Sequence, residues 1–554
     1  MADSTRENPA IISQRTFVGG VQDYLPYHMV RDTSAVRLEN CEIHVHGTVR
    51  RRGGLREWFE NTASSVDFPL LLKSFSGIRG LGPIEISVWN SAANTSQTTI
   101  DFGDGNPQTI AFPDSFAFDE KGDIFKLLDR VYYGRAGQNT LYWESGASAL
   151  SQELATPGFS ETTIPPVVTG VFFQGRGWAG GDPSAEDLVY FSGALGTDGD
   201  GESTRTPLSW DRHFQAFRME TGRVRAIIPF RNTALVVFTD KGIEVLEPNC
   251  CEILNTHRYT LHRNTGCPFR QTIQICGEDI FFMDQEGHIR SLKQTELDEN
   301  QGVLNAPLSL TIQNVIDRQV KTRLDWARSA FSKGMYWIWM PTNGSQYANE
   351  GWGYSIRDQA WVGPYYFARD IDDDAHLVPT IVGGVDGNRF ENDEERLYVL
   401  GKTVDDEIKT YIALEPEDYT DDGVIIPVVL ETKNYTAGDP LKKTWFHTEQ
   451  EVRFLIDPGD EDLDITVDVR GDEDGYVSTD AVTMSVSARP HLPVDLPFAL
   501  VPEKRQQLKT SLAGIIGYPT NGLMERITIR DDNSRWEILT LVVSGIVEEL
   551  DFQR

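Results

Sequence analysis

The sequence predicts a mainly β protein: an irregular β-propeller with inserted hairpins, followed by a sandwich-like sheet domain. Three observations carry that expectation. Between Gly222 and Lys293, the short apolar runs Ala226–Phe230, Ala234–Phe238 and Glu278–Met283 alternate with turns rich in Gly and Asp. Such runs have the length and β-branched or aromatic content of strands. Helical periodicity surfaces in one stretch only, and beyond about residue 423 alternating runs follow one another at short intervals.

Chain length and charge bound the function classes. At 554 residues the chain exceeds what one hydrophobic core supports, so several domains are expected. With 51 Lys+Arg against 83 Asp+Glu, the net charge is −32. An acidic surface repels phosphate, which argues against clamping nucleic acid by counterion release. Five cysteines, at 41, 250, 251, 267 and 276, are too few and too unevenly placed for a disulfide framework, so they are read as reduced core residues. Neither the adjacent pair nor the 267/276 spacing has a zinc-site partner. The polar start and the lack of any long apolar run predict a product made and folded in the cytosol, with no membrane insertion.

In chain order, residues 1–60 read as hairpins. Ala35–Leu38 and Glu42–Val45 alternate as half-buried strands, and GTVRRRGG at 47–54 closes a hairpin. Arg50, Arg51 and Arg52 are the densest positive charge in the chain. They are either a solvated edge with blocking charges or a docking contact for a more acidic partner. Residues 61–165 form a β-rich blade or insertion region. Its clearest hairpin is TTIDFGDGNPQTIAF at 98–112, whose DFGDG also resembles the signature of PKD-type sandwich modules.

Residues 166–422 are assigned to the central propeller. VVTGVFFQGRGWAGGDPSAEDLVYFSG at 167–193 gives two strands with Arg176 and Trp178 at the hairpin, the arginine expected on an aromatic ring. DGDGE at 198–202 is a surface loop able at most to catch calcium weakly. Leu308, Ile312, Ile316 and Val320 recur every four residues and predict an amphipathic helix near 308–323. Trp337, Trp339, Trp352 and Trp361 then cluster, as blade core or as a sugar-stacking platform. Residues 370–422 hold 17 Asp+Glu against 4 Lys+Arg, including Asp372, Asp373, Asp374, Asp393, Glu394 and Glu395, and read as loops in water. From 423 to 554, runs such as VIIPVVLET, WFHTEQEVRFLI, DITVDVR and WEILTLVV argue for an antiparallel sandwich.

Several of these segments, in order, carry a resemblance. FVGGVQDY (17–24), RDTSAVRLENCEI (31–43) and GTVRRRGG look like the openings of tail nozzle (tail tubular) and packaged-DNA stabilisation proteins of short-tailed bacteriophages. The 167–193 stretch and the series VVFTDKGIEVL (236–246), TGCP (265–268) and DIFFMDQEGHIRSL (279–292) resemble their propeller, and TKNYTAGDPLKK (432–443) the entry to their last domain. The resemblance implies a platform built from N- and C-terminal segments. It also implies a ring, sixfold in the family, that docks on an adaptor or head-to-tail connector and conducts double-stranded DNA through a lumen lined by acidic loops. Tail fibres or spikes are further partners it suggests, and the virion tail is the location.

Enzyme readings lack a constellation. GxSxG, HExxH, a Walker loop and the SxDxGxxW box are all missing from the sequence. Carboxylate pairs must occur somewhere among so many acidic residues, so they decide nothing for a propeller glycosidase. His44 and His46 share a strand face and are read as a surface pair. No catalytic residue, cofactor or metal is expected. A glycan-binding host-recognition protein is the alternative of a different class.

Overall fold

In the computed structural model of the chain, tight hairpins set the architecture. The described residues are 8–14, 16–44, 47–61, 68–75, 84–90, 95–101, 108–115, 122–128, 130–134, 139–144, 151–152, 164–193, 210, 215–249, 253–295, 306–345, 347–367, 396–402, 408–416, 418, 420–435, 449–457, 463–470, 477–478, 482–484, 504–511, 524–530 and 535–547. Gln174–Gly175 and Lys333–Gly334 both sit at positive φ, the two-residue turn whose twist matches that of the strands it joins. Each such turn starts an up-and-down meander; among the described residues six blades are meanders and a seventh sheet completes the set.

Blade 1 comprises Phe68–Phe75, Ile84–Asn90, Thr95–Asp101 and Gln108–Ser115; blade 2 comprises Asp123–Leu127, Arg130–Gly134, Leu141–Glu144 and Ser151–Gln152. Blade 3 is Thr169–Phe173, Arg176–Asp182, Ala185–Phe191 and Ala216–Arg218, and blade 4 is Val224–Phe230, Ala234–Thr239, Ile243–Glu247 and His257–His262. Blade 5 has three strands, Gln274–Cys276, Asp279–Met283 and Ile289–Ser291, and blade 6 has Arg328–Ser332, Met335–Met340, Glu350–Ser355 and Ala360–Tyr365. The 98–112 hairpin therefore belongs to a blade, its strands paired from Thr95↔Ser115 to Ile100↔Gln108.

Blade 7 closes the ring. Its inner strands, Leu397–Lys402 and Ile408–Glu415, come late in the chain, and Gly54–Asn61 pairs with the second of them from the other end of the sequence. Thr420–Asp421 joins Gly54–Asn61 in parallel and carries Val424–Ile425 at the edge. The first strand of blade 7 lies against that of blade 1, which touches blade 2 in turn. Packing continues between successive blades: Phe125 and Leu127 with Ala179 and Tyr190, Trp178 and Phe191 with Ile227 and Val237, Phe238 with Ile280 and Phe282. Interleaved aromatic and branched side chains of this kind bind one antiparallel sheet to the next.

Among the described residues the platform comprises two six-stranded antiparallel sheets. One runs Cys41–Ile43, Val49–Arg51, Arg535–Val547, Glu449–Asp457 and Lys504–Ser511, with Asn8–Gln14 also paired to Arg535–Val547. The other runs Arg37–Glu39, Val428–Glu431, Met524–Arg530 and Leu463–Arg470, the last also pairing Val477–Ser478 and Val482–Met484. Both ends of the chain thus build the platform, and the propeller is the excursion between them. A single hydrophobic core joins the two bodies, running from Phe281 and Met283 of blade 5 through Trp337, Tyr365 and Tyr411 to Leu38, Cys41, Leu430 and Ile527.

Several local expectations change. The stripe from Leu308 to Val320 is not one helix: a 3-10 turn, Leu308–Ile312, a short α-helix, Gln313–Arg318, and a second 3-10 turn, Lys321–Trp326, replace it. Gln319 is extended, at φ −61° and ψ 142°, and its buried amide donates to the Gly287 carbonyl at 3.1 Å while its backbone bridges Thr342. Docking onto blades 5 and 6 wins over continuing a helix, although Ile312 and Ile316 still face the core. Part of the acidic 370–422 tract is strand, since Leu397–Lys402 and Ile408–Glu415 bury Leu397, Tyr398, Val399 and Tyr411. The four tryptophans at 337, 339, 352 and 361 are all buried, which makes them blade core with no face left for a sugar ring.

Candidate docking hairpin and axial pocket

The hairpin of Cys41–Ile43 and Val49–Arg51 places the three arginines in unlike surroundings. Arg50 is partly exposed and donates Nε and Nη2 to Glu42 Oε2 at 3.2 and 3.0 Å. It borders a groove of about 290 Å³ between platform and propeller, together with His44, Lys333, Arg357 and Asp358. Arg51 is buried. Arg52 is sealed completely: Nε donates to Asn40 Oδ1 at 3.1 Å, Nη1 to Asp421 Oδ1 at 2.8 Å, and Nη2 to the Tyr366 carbonyl at 2.8 Å and to Asp421 Oδ2. Its guanidinium also lies over the Phe367 ring. Arg52 therefore ties the hairpin to blades 6 and 7, and of the expected docking triad Arg50 alone keeps a surface.

The same junction holds a second buried charge. Glu350 accepts from Arg318 at 3.1 and 3.2 Å, from Trp352 Nε1 at 2.9 Å, from Thr342 Oγ1 at 2.9 Å and from Tyr366 OH at 3.2 Å. A carboxylate with this many donors is stable in a dry site. Nearby, burial pushes the Asp23 carboxyl up to about 7, against the Asn314 backbone N–H and the Arg318 charge, while Glu350 adds repulsion.

The expected lumen residues Asp372, Asp373, Asp374, Asp393, Glu394 and Glu395 lie outside the described residues, as do Asp198–Glu202, His46 and Cys250–Cys251. Cys41, Cys267 and Cys276 are buried in the core, and burial pushes the Cys267 thiol up to about 12. Among the described residues Arg176 stacks on no ring: its Nη1 donates to the Ser192 carbonyl at 2.9 Å, and it is Trp178 that packs against Phe191 and Phe217.

A feature the sequence did not announce lies on the propeller axis. Where the inner strands of blades 2 to 6 begin, a pocket of about 250 Å³ is bordered by Arg223, Arg225, Arg270 and Arg328 and by the carboxylates of Glu186 and Asp325. Arg270 is half-buried and spans blades, its Nη1 donating to the Val168 carbonyl at 3.3 Å and its Nη2 to that of Gly122. Arg328 opens the inner strand of blade 6 and gives Nη1 to the Asp325 and Ala327 carbonyls at 2.8 and 3.0 Å. Arg225 is the extra residue of a β-bulge between Val224 and Ala226. Arg225, Arg270 and Arg328 are far apart in sequence, and only their shared position at the head of an inner strand could have flagged them.

The fold and junction define a class: a β-propeller mounted on a two-sheet platform made from both chain ends. Beyond that, no family model matches the chain, and no curated protein does. Among solved structures, one described as "YCF48 bound to D1 peptide" is similar over 66% of this chain and 96% of that one, at 10% identity and a TM-score of 0.36, a likeness too slight to bear on function.

Proposed function

We propose that this chain is a structural virion protein, the ring-shaped tail nozzle of a short-tailed phage, which docks to the adaptor or portal, retains packaged DNA and conducts it during ejection. The observation that supports this reading most is the platform assembled from both chain ends, with the propeller inserted between them. The resemblance of the ordered segments to phage nozzle proteins implies that same arrangement. In this reading the duplex does not pass along the propeller's own axis, where arginines border a pocket of about 250 Å³. A channel would therefore form between copies of the chain, closed by a heterologous interface. The net charge of −32 suits a wall that must not hold DNA. Arg50, at the groove between platform and propeller, is the docking contact of this reading.

Electron microscopy of the purified protein, alone and mixed with the virion's adaptor–portal complex, tests it. Closed rings wide enough for a duplex, and their loss of attachment to the adaptor in Arg50→Glu, are expected. A chain that stays monomeric and ignores the adaptor complex would sink the proposal and favour the glycan-recognition alternative.

A further inference from the structure

We propose that the axial pocket binds an oxyanion, a phosphate or carboxylate group, held between Arg225, Arg270 and Arg328. The pocket's charge balance is the first argument. Four arginines face two carboxylates in a protein whose net charge is −32. Arg223 is spoken for by Glu186 at 2.9 Å, and Arg270 has Asp123 only at 3.9 Å, a carboxylate that already holds Lys73 at 2.6 Å.

Unmet hydrogen bonding is the second. Arg328 is 2% exposed, and its donors reach backbone carbonyls rather than any carboxylate. The Nε atoms of Arg225 and Arg328 are both buried and have no acceptor among the described residues. A buried donor without an acceptor costs free energy comparable to a lost hydrogen bond. The Nε edge of a guanidinium, with its neighbouring Nη, is the fork that fits two oxygens of one carboxylate or phosphate. Like charge is not relieved within the protein either: burial and the neighbouring Arg270 hold the Arg328 guanidinium down to about 10, and Arg225 acts on Arg270 in the same sense.

The backbone supplies the third argument. A bulge inserts one residue and re-aims a side chain, and in the inner strand of blade 4 that residue is Arg225. The bulge lies at the end of the strand that borders the pocket. An oxyanion there would meet guanidinium groups from blades 4, 5 and 6 and so join three blades around the axis.

The test is isothermal titration and thermal melting of the full chain with inorganic phosphate and with acetate, each against sodium chloride at matched ionic strength. Saturable binding of phosphate or of acetate, with a rise in Tm beyond that of chloride, is expected. Preference for phosphate would identify the source as a phosphate-bearing ligand, and preference for acetate a carboxylate-bearing one. Arg225→Gln should weaken binding by roughly tenfold to a hundredfold, the loss of a hydrogen bond to a charged group. Arg225→Lys, which keeps the charge and loses the fork, should restore only part of it. Because Arg225 is half-buried and its Nε lacks an acceptor, Arg225→Gln should melt no lower than the parent protein without added anion. Two outcomes would overturn the assignment: no saturable binding of either anion, or binding that Arg225→Gln leaves unchanged.

Discussion

Arg52 and Asp421 form an ion pair removed from water on all sides, and such pairs are costly to break rather than strongly stabilising to have. Arg52→Met leaves Asp421 buried without its guanidinium, and the expected loss is about 3–5 kcal/mol. Urea unfolding would measure it, and the double variant Arg52→Met/Asp421→Leu should recover part; equal losses in the single and double variants would show that the pair itself is not the cause. Asp23 gives a pH signature. Its folded value of about 7 lies above the unfolded one near 3.9, so the folded protein binds the proton more tightly in between. The stability this contributes is complete below about 4 and is lost as the pH rises to about 7. Asp23→Asn should therefore flatten the dependence of Tm on pH across that window and raise Tm at pH 8. Because Asp23 is only half-buried, solvent screening limits the gain to a few degrees. Parallel Tm profiles for the two proteins would refute this account.

Among the elements, Gly54–Asn61 has a structural consequence larger than its length. It hydrogen-bonds to Ile408–Glu415 on one side and to Thr420–Asp421 on the other, so it is an interior strand of the closing blade. Proline there removes a ladder donor inside a sheet, at about 3 kcal/mol or more. Arg56→Pro, opposite Ile412, should lower the unfolding midpoint correspondingly and raise amide exchange throughout blades 1 and 7; an effect confined to the hairpin would mean the ring does not depend on that strand. This strand also shows what the sequence could and could not disclose. Blade strands such as Ala234–Thr239 and Asp279–Met283 are legible because each is a local run with its own turn. The partnership of Gly54–Asn61 with residues far along the chain leaves no local trace. The apolar spacing of 308–323 fits a helix, while the buried Gln319 that interrupts it carries no mark in the sequence that separates it from a surface residue. Arg50, Arg51 and Arg52 stood out as a charge cluster, yet alternation in the strand and the sealing of the junction send them to different environments. Arg225, Arg270 and Arg328 leave no such cluster in the sequence, since each stands on a different blade.

For the whole molecule, the continuous core from blade 5 to the platform couples the two bodies energetically. Gly20 illustrates how close they stand: its φ is +61°, and a Cβ there would lie 2.3 Å from the Trp361 carbonyl oxygen. Because the core of blades 5 to 7 is shared with the platform, heating should give one calorimetric transition whose van't Hoff and calorimetric enthalpies agree. Two resolved transitions would show that propeller and platform unfold independently.

The pairing of Asn8–Gln14 with Arg535–Val547 also imposes an order in time. About 540 residues separate Asn8 from Val547, and at the usual pace of synthesis their partnership must wait roughly half a minute to two minutes. Throughout that interval the nascent chain carries the platform's first strands with their hydrogen-bonding edges unclaimed. Gly54–Asn61 waits likewise for Ile408–Glu415. On the ribosome these strands are thus made long before their partners, and it is in this window that the protein is most open to chaperones and to pairing with another copy of itself.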